Sequence, residues 1–303
     1  MSFFDTFNEM VVILFAVAVG YLAHRLGYLG GETNQKLSKL ILNITTPALI
    51  LSSVANEENL PGVAEVLSVL LVAVVFYVVE FAFALLVPRL AGGTPKQIGV
   101  WQFLLSFPNV GFIGYPLVEA LFGHTGLFYA VILVMPFNLL NYSLGPLMIS
   151  GKIRFHWKQL LSPAILMACF TLFVTLAGIH LPPMVGAMAE IVADVNIPLS
   201  LLVLGSMLAG MSARQVLTSV RMWVLSAVRL LIMPATLGVV LRFLNTDPLV
   251  LGVAVAQMAM PAAVNGTMLC LEFDGDAETM AQITFLTTVL SIVTIPLAVW
   301  LFV

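Results

Sequence analysis

Ten stretches of this chain stay apolar for long enough to cross a lipid bilayer, which takes about 17–25 residues in a helix, and that leaves few folds open. They fall near 8–25, 37–54, 62–87, 98–121 and 127–149, then near 162–179, 186–208, 222–244, 249–271 and 278–302. Only 9% of the 303 residues are charged, where a soluble domain carries about 25%. The chain reads as an all-α membrane protein of roughly ten transmembrane helices.

The flanks of the runs orient them. Asp5 and Glu9 lie on the N-terminal side of the first run while Arg25, Lys36 and Lys39 follow it, which is the reverse of a secretory signal and keeps the run as a span. Arg89 and Lys96 follow the third run, Lys152, Arg154 and Lys158 the fifth, and Arg214 and Arg221 the seventh, so ten of the twelve basic residues sit on alternate loops. Basic loops stay in the cytoplasm, which puts both termini outside the cytoplasmic (inner) membrane. With a net charge of −3 and no basic stripe, nothing suggests a nucleic-acid partner.

Helix-breaking residues recur at a fixed offset. Pro47 and Pro198 lie 151 positions apart, Pro108 and Pro261 153, Pro146 and Pro296 150, and Glu119 and Glu272 153. The longest polar stretch, Ser150 to Gln159, falls at the midpoint. Two repeats are expected, residues 1–150 and 151–303, each of five helices. An odd number of spans inserts the second repeat upside down relative to the first, and inverted repeats mark secondary transporters.

The segment FPNVGFIGYPLVEALFG, Phe107 to Gly123, concentrates the breakers. Proline at 108 removes an amide donor, Gly111 and Gly114 tolerate non-helical angles, and Pro116 suits the first turn of a restarted helix. Its counterpart around Pro261 carries Asn265 and Gly266. Helices 4 and 9 are therefore expected to be broken at Pro108 and Pro261, with further breaks at Pro47, Pro116 and Pro198. Unwound backbone at membrane depth survives only inside protein or beside a water-filled cavity, so the two breaks should lie together. Free amides at half-helix N-termini suit an anion, and Asn109 and Asn265 either add side-chain donors to it or cap the broken helices.

Charges within spans are costly and point to function. Here they are Glu80, Glu119, Glu190, Asp194, Arg229 and Glu272. Arg229 pairs with Glu80 or Asp194, or draws in an anion through two parallel hydrogen bonds; Asp194 either makes that pair or binds a proton or sodium. Thr284, Thr287, Thr288, Ser291 and Thr294 give helix 10 a hydroxyl-rich face that suits close packing. Cys169 and Cys270 read as packing residues, and His24, His124, His156 and His180 lack metal-ligand spacing. No nucleophile motif or metal site supports an enzyme, and no cofactor beyond a coupling proton or sodium ion is expected.

The motifs PNVGFIGYP (Pro108 to Pro116), IPLSLLVLGSML (Ile197 to Leu208), MPAAVN (Met260 to Asn265), LEFDGD (Leu271 to Asp276) and TTVLSIVTIPL (Thr287 to Leu297) together resemble the auxin efflux carrier family of membrane transport proteins, in its compact bacterial form. The resemblance implies two inverted five-helix repeats, similar to the bile acid and sodium symporters, with helices 4 and 9 crossing at their breaks beside the substrate. It implies a carrier of small organic anions, such as malonate, malate or auxin-like acids, that works by an elevator-like movement. It also places Asn109 at the substrate and, in helix 5, Asn138, Asn141 and Tyr142 nearby; with Gly111, Asn265 and Gly266 these form the expected site. A passive channel or ligand sensor of the same fold is the alternative. The acid, the direction of transport, the coupling ion and assembly as a homodimer are open at this point.

Overall fold

The computed structural model describes residues 3–55, 60–151, 161–211 and 219–302. These residues form helices α1 (Phe3–Arg25), α2 (Gly31–Leu40), α3 (Thr46–Ala55), α4 (Val63–Ala91), α5 (Pro95–Ser106), α6 (Tyr115–Val134) and α7 (Phe137–Ser150). After the midpoint come α8 (Pro163–Leu176), α9 (Pro183–Ala193), α10 (Asn196–Ala209), α11 (Val220–Ala227), α12 (Met233–Phe243), α13 (Pro248–Met258), α14 (Gly266–Glu272) and α15 (Ala277–Phe302). Among the described residues seven helical stretches are long and apolar enough to cross a membrane: Phe7–Arg25, Gly31–Ala55, Val63–Ala91, Val110–Val134, Pro183–Ala209, Val220–Phe243 and Ala277–Phe302. Pro163–Leu176 and Pro248–Met258 are apolar but shorter. The protein is thus a multi-pass, all-helical membrane protein. Of the basic loop residues, Lys152, Arg154, Lys158 and Arg214 lie outside the described residues, while Arg221 reaches Gly92 on the loop after α4.

The expected boundary between the fourth and fifth spans is sharper than a loop. The helix turns at Gly123, whose φ of 67° only glycine adopts without strain, and continues as the second part of α6. A further interruption at Met135 and Pro136 separates α6 from α7.

At the five expected breaks proline does three different things, and two of the five are not breaks. Before Pro47 and Pro116 the helix widens into a π-turn, at Ile41–Thr45 and Val110–Gly114, and then continues. The N–H of Thr46 donates to the Ile41 carbonyl and that of Tyr115 to the Val110 carbonyl, five residues back. The wider turn moves a carbonyl away from the proline ring and accommodates the missing donor. Pro234 has the same arrangement after Val228–Ile232. Pro198 is preceded by a two-residue interruption at Asp194 and Val195, the point where its absent N–H would have bonded. Full unwinding occurs at Pro108 and Pro261, where each break has the other to pair with.

Both broken helices start from a side-chain cap followed by proline. Thr94 accepts from the N–H of Gln97 at 3.3 Å while Gln97 accepts from the N–H of Thr94 at 3.1 Å, with Pro95 in the first turn of α5. Asp247 accepts from the N–H groups of Leu249 and Val250 at 2.9 and 3.2 Å, with Pro248 opening α13. Close backbone approach fixes other pairs of helices: Gly20 on α1 faces the Leu202 carbonyl and Gly205 on α10 faces the Val17 carbonyl, leaving no room for a Cβ.

Candidate functional site

The residue before a proline is driven to extended backbone, and Phe107 obeys with φ −132° and ψ 97°. Pro108 and Ala262 then pair as an antiparallel bridge. Asn109 donates its N–H to the Pro261 carbonyl at 2.8 Å, and Ala263 donates its N–H to the Phe107 carbonyl at 3.0 Å. Peptide groups that would otherwise be orphaned in hydrocarbon are satisfied by the opposite break. A third contact comes from α15, where the Thr287 hydroxyl accepts the Ala262 N–H at 3.2 Å. The hydroxyl face of that helix therefore does more than pack.

Arg229, fully buried in the π-turn ahead of α12, binds both breaks from behind. Its Nε donates to the Met260 carbonyl at 3.2 Å, and Nη1 donates to the Leu105 carbonyl at 3.2 Å and to Glu80 Oε1 at 3.3 Å. Each carbonyl lies near the end of a helix that has just lost its next partner. Of the two carboxylates open to Arg229 from sequence, the structure selects Glu80, also fully buried. Asp194 is exposed at the interruption between α9 and α10, within electrostatic range of Glu119 together with Glu190. Glu119 lies 3.5 Å from His124 Nδ1, and Glu272 is exposed at the end of α14.

In front of the crossing lies a cavity of about 110 Å³ into which Thr46, Asn109, Gly111, Asn141, Tyr142 and Asn265 open. It has room for about four waters at ~30 Å³ each, which suits a ligand of a few heavy atoms. None of its lining residues carries a formal charge. Asn109 is 3% exposed; its Oδ1 accepts the Phe112 N–H at 3.3 Å, capping the restarted helix, while its Nδ2 has no partner among the described residues. Capping and offering a donor are thus compatible roles. Asn141 is completely buried with neither side-chain atom partnered among the described residues. Asn265 makes no capping bond to α14 and instead places its side chain beside Tyr142.

Two expected members stand apart. Gly266 does not line the cavity; a Cβ there would meet the Phe103 ring and Met280, so this glycine serves close packing. Asn138 has its backbone in α7, but its side chain lies outside the described residues. Gly111 has open space where a Cβ would be. Gly111→Leu should therefore fill the cavity and reduce ligand binding at least tenfold with little change in melting temperature, as paired titration and thermal-unfolding measurements would show. A stable variant that binds as the wild type does would remove this cavity from consideration.

The sequence reading missed Thr46, Asn196 and Gln257. Gln257 is fully buried on α13 against Gly114, with both amide atoms unpartnered among the described residues. Asn196 had a usable signal: it is polar, precedes Pro198 by two residues, and lies 151 positions from Thr45, the same offset that relates the prolines.

Comparison with known proteins agrees in scale with this arrangement. An uncharacterized transporter of Methanothermobacter thermautotrophicus is 26% identical over 301 residues, covering 98% of each chain. The uncharacterized transporter MJ1031 of Methanocaldococcus jannaschii is 22% identical over 97% of this chain and 98% of its own. The uncharacterized transporter YfdV of Escherichia coli K12 is 23% identical over 98% and 96%. The family described as membrane transport protein matches residues 5–154 and 147–300, nearly the whole chain. Motifs, crossing helices and this full-length match converge, and the chain belongs to the auxin efflux carrier-type family of membrane transport proteins.

Proposed function

We propose that the protein is a secondary carrier of small organic anions, bound in the cavity at the crossing of the two breaks and moved by elevator-type alternating access. The observation that carries this reading is the pair of buried amides, Asn109 Nδ2 and Asn141, that open on the cavity with no partner and no basic residue beside them among the described residues. Buried donors without acceptors are costly, and a carboxylate would satisfy them. Amide donors hold an anion firmly enough to select it, while the missing ammonium or guanidinium keeps release fast.

The fold on this reading is ten spans in two inverted repeats, residues 1–150 and 151–303. Support comes from the recurrence of irregular features: the capped starts Thr94-Pro95 and Asp247-Pro248, the mutual bridge of the breaks, and the contact of Asn196 with Thr45. Both termini then face outward across the cytoplasmic membrane.

Counterflow of labelled malonate into proteoliposomes is the test, with the sodium and pH gradients varied independently. Saturable accumulation is expected of a carrier; a channel or a sensor would give none. Dependence on either ion would direct attention to Glu119, Asp194 and Glu80 as coupling groups.

A further inference from the structure

Asn196, the first residue of α10, is fully buried against the last turn of the π-segment that leads into α3. Its Nδ2 donates one hydrogen to the Thr45 hydroxyl at 2.8 Å and the other to the Thr46 hydroxyl at 3.0 Å. The two threonines then part ways. Thr45 returns its own proton to the Ile41 carbonyl at 3.4 Å. Back-bonding of this kind is open to helical threonines; Thr171, Thr236, Thr287 and Thr288 use it, while the buried hydroxyls of Thr175, Thr267, Thr284 and Thr294 have no partner among the described residues and, unlike Thr46, do not line this cavity. Thr46 donates to nothing among the described residues, although it is only 3% exposed and lines the same cavity as Asn109 and Asn141. One lone pair of its oxygen is occupied by Asn196, which turns the proton away from that amide.

We infer that Thr46, held by Asn196, is a second anchor of the cavity, and that the ligand is a short acid with a further hydrogen-bond acceptor, a dicarboxylate in the simplest case. The inference rests on the anion-carrier reading above. Asparagine amides on the break and on α7 offer donors for one carboxylate, and Thr46 offers one from α3, a different wall. A monocarboxylate with an apolar far end would leave the Thr46 proton desolvated and unbonded, which discriminates against it by roughly 10–150-fold for a hydrogen bond to a charged acceptor. Asn196 is a positioning residue in this scheme, since it touches the threonine and not the ligand.

Binding to the purified full chain tests it, by titrating malonate and isovalerate, in which an isopropyl group stands where malonate has its second carboxylate. The wild type is expected to prefer malonate. Thr46→Val should weaken malonate at least tenfold and strengthen isovalerate by relieving the desolvation of the hydroxyl, Thr46→Ser should restore the preference, and Asn196→Ala should lose part of it because the freed hydroxyl can then back-bond. Asn109→Ala should weaken both acids and so reports on the carboxylate site alone. Equal affinity of wild type and Thr46→Val for malonate, with both acids lost in Asn109→Ala, would overturn the second anchor and spare the anion site. Failure of the wild type to bind either acid would overturn both.

Discussion

Arg229→Met is expected to lower stability by about 3–5 kcal/mol, the range for removing one partner of a buried ion pair, and to give a protein that barely survives extraction into detergent. Three oxygens lose their donor at once: Glu80 Oε1 and the carbonyls of Leu105 and Met260. The carboxylate is left charged and fully buried, and the last turn before each break is left with an orphaned acceptor. Arg229→Lys keeps the charge, but one ammonium on a flexible stem cannot present the planar fork that reaches oxygens on three elements, so an intermediate loss is expected. Combining Arg229→Met with Glu80→Gln removes the buried charge and should recover part of the stability. It leaves the two carbonyls unsatisfied, each costing about 1–3 kcal/mol, so recovery should be incomplete. Melting temperatures of the single and double variants check this, and a wild-type value for Arg229→Met would show that the guanidinium supports neither break.

Asn109→Asp separates the two jobs of the crossover asparagine. The replacement keeps an oxygen to accept the Phe112 N–H, so the cap that contributes about 1 kcal/mol survives. It removes the free amide donor and sets a carboxylate into a cavity with no other charge. Malonate transport should fall below detection while the melting temperature stays near the wild type's. Asn109→Ala, which loses the donor without adding repulsion, should reduce transport by roughly 10–150-fold, the effect of one hydrogen bond to a charged group. Wild-type flux in the aspartate variant would exclude Asn109 from the ligand's path.

Where the helices come apart was legible because two prolines stood among glycines and asparagines, in segments with matching places in each half of the chain. Which prolines would break a helix was not. Pro47, Pro116, Pro108 and Pro261 each remove a donor, yet the first two sit in helices that widen and continue while the other two unwind. The deciding factor is whether a second unwound segment is at hand to complete the peptide hydrogen bonds, and that is a property of the packed structure. The charges were similarly half-readable. Hydropathy marks Glu80 and Arg229 as buried ions in need of partners, but Asp194 fits the same description in sequence and proves exposed. Gly266 was singled out with Gly111 because both follow a break at short range; one faces open space and the other a phenylalanine ring. Thr46 could not be picked from the other hydroxyls of its span, because its distinction is a place between the Asn196 amide and the cavity, which only the packed structure creates.

The bridge between Pro108 and Ala262 also bears on how the chain is made. Synthesis proceeds at about 5–20 residues per second, so residues 107–109 emerge on the order of 8–30 s before the segment that completes their hydrogen bonds. During that interval the first break has no lasting partner, and a strand-like stretch of peptide groups must be sheltered by the insertion machinery or by neighbouring helices. A chain stopped before residue 261 would keep that stretch open to any other extended segment in the membrane, which makes the truncated product a target for quality control while the finished one is closed.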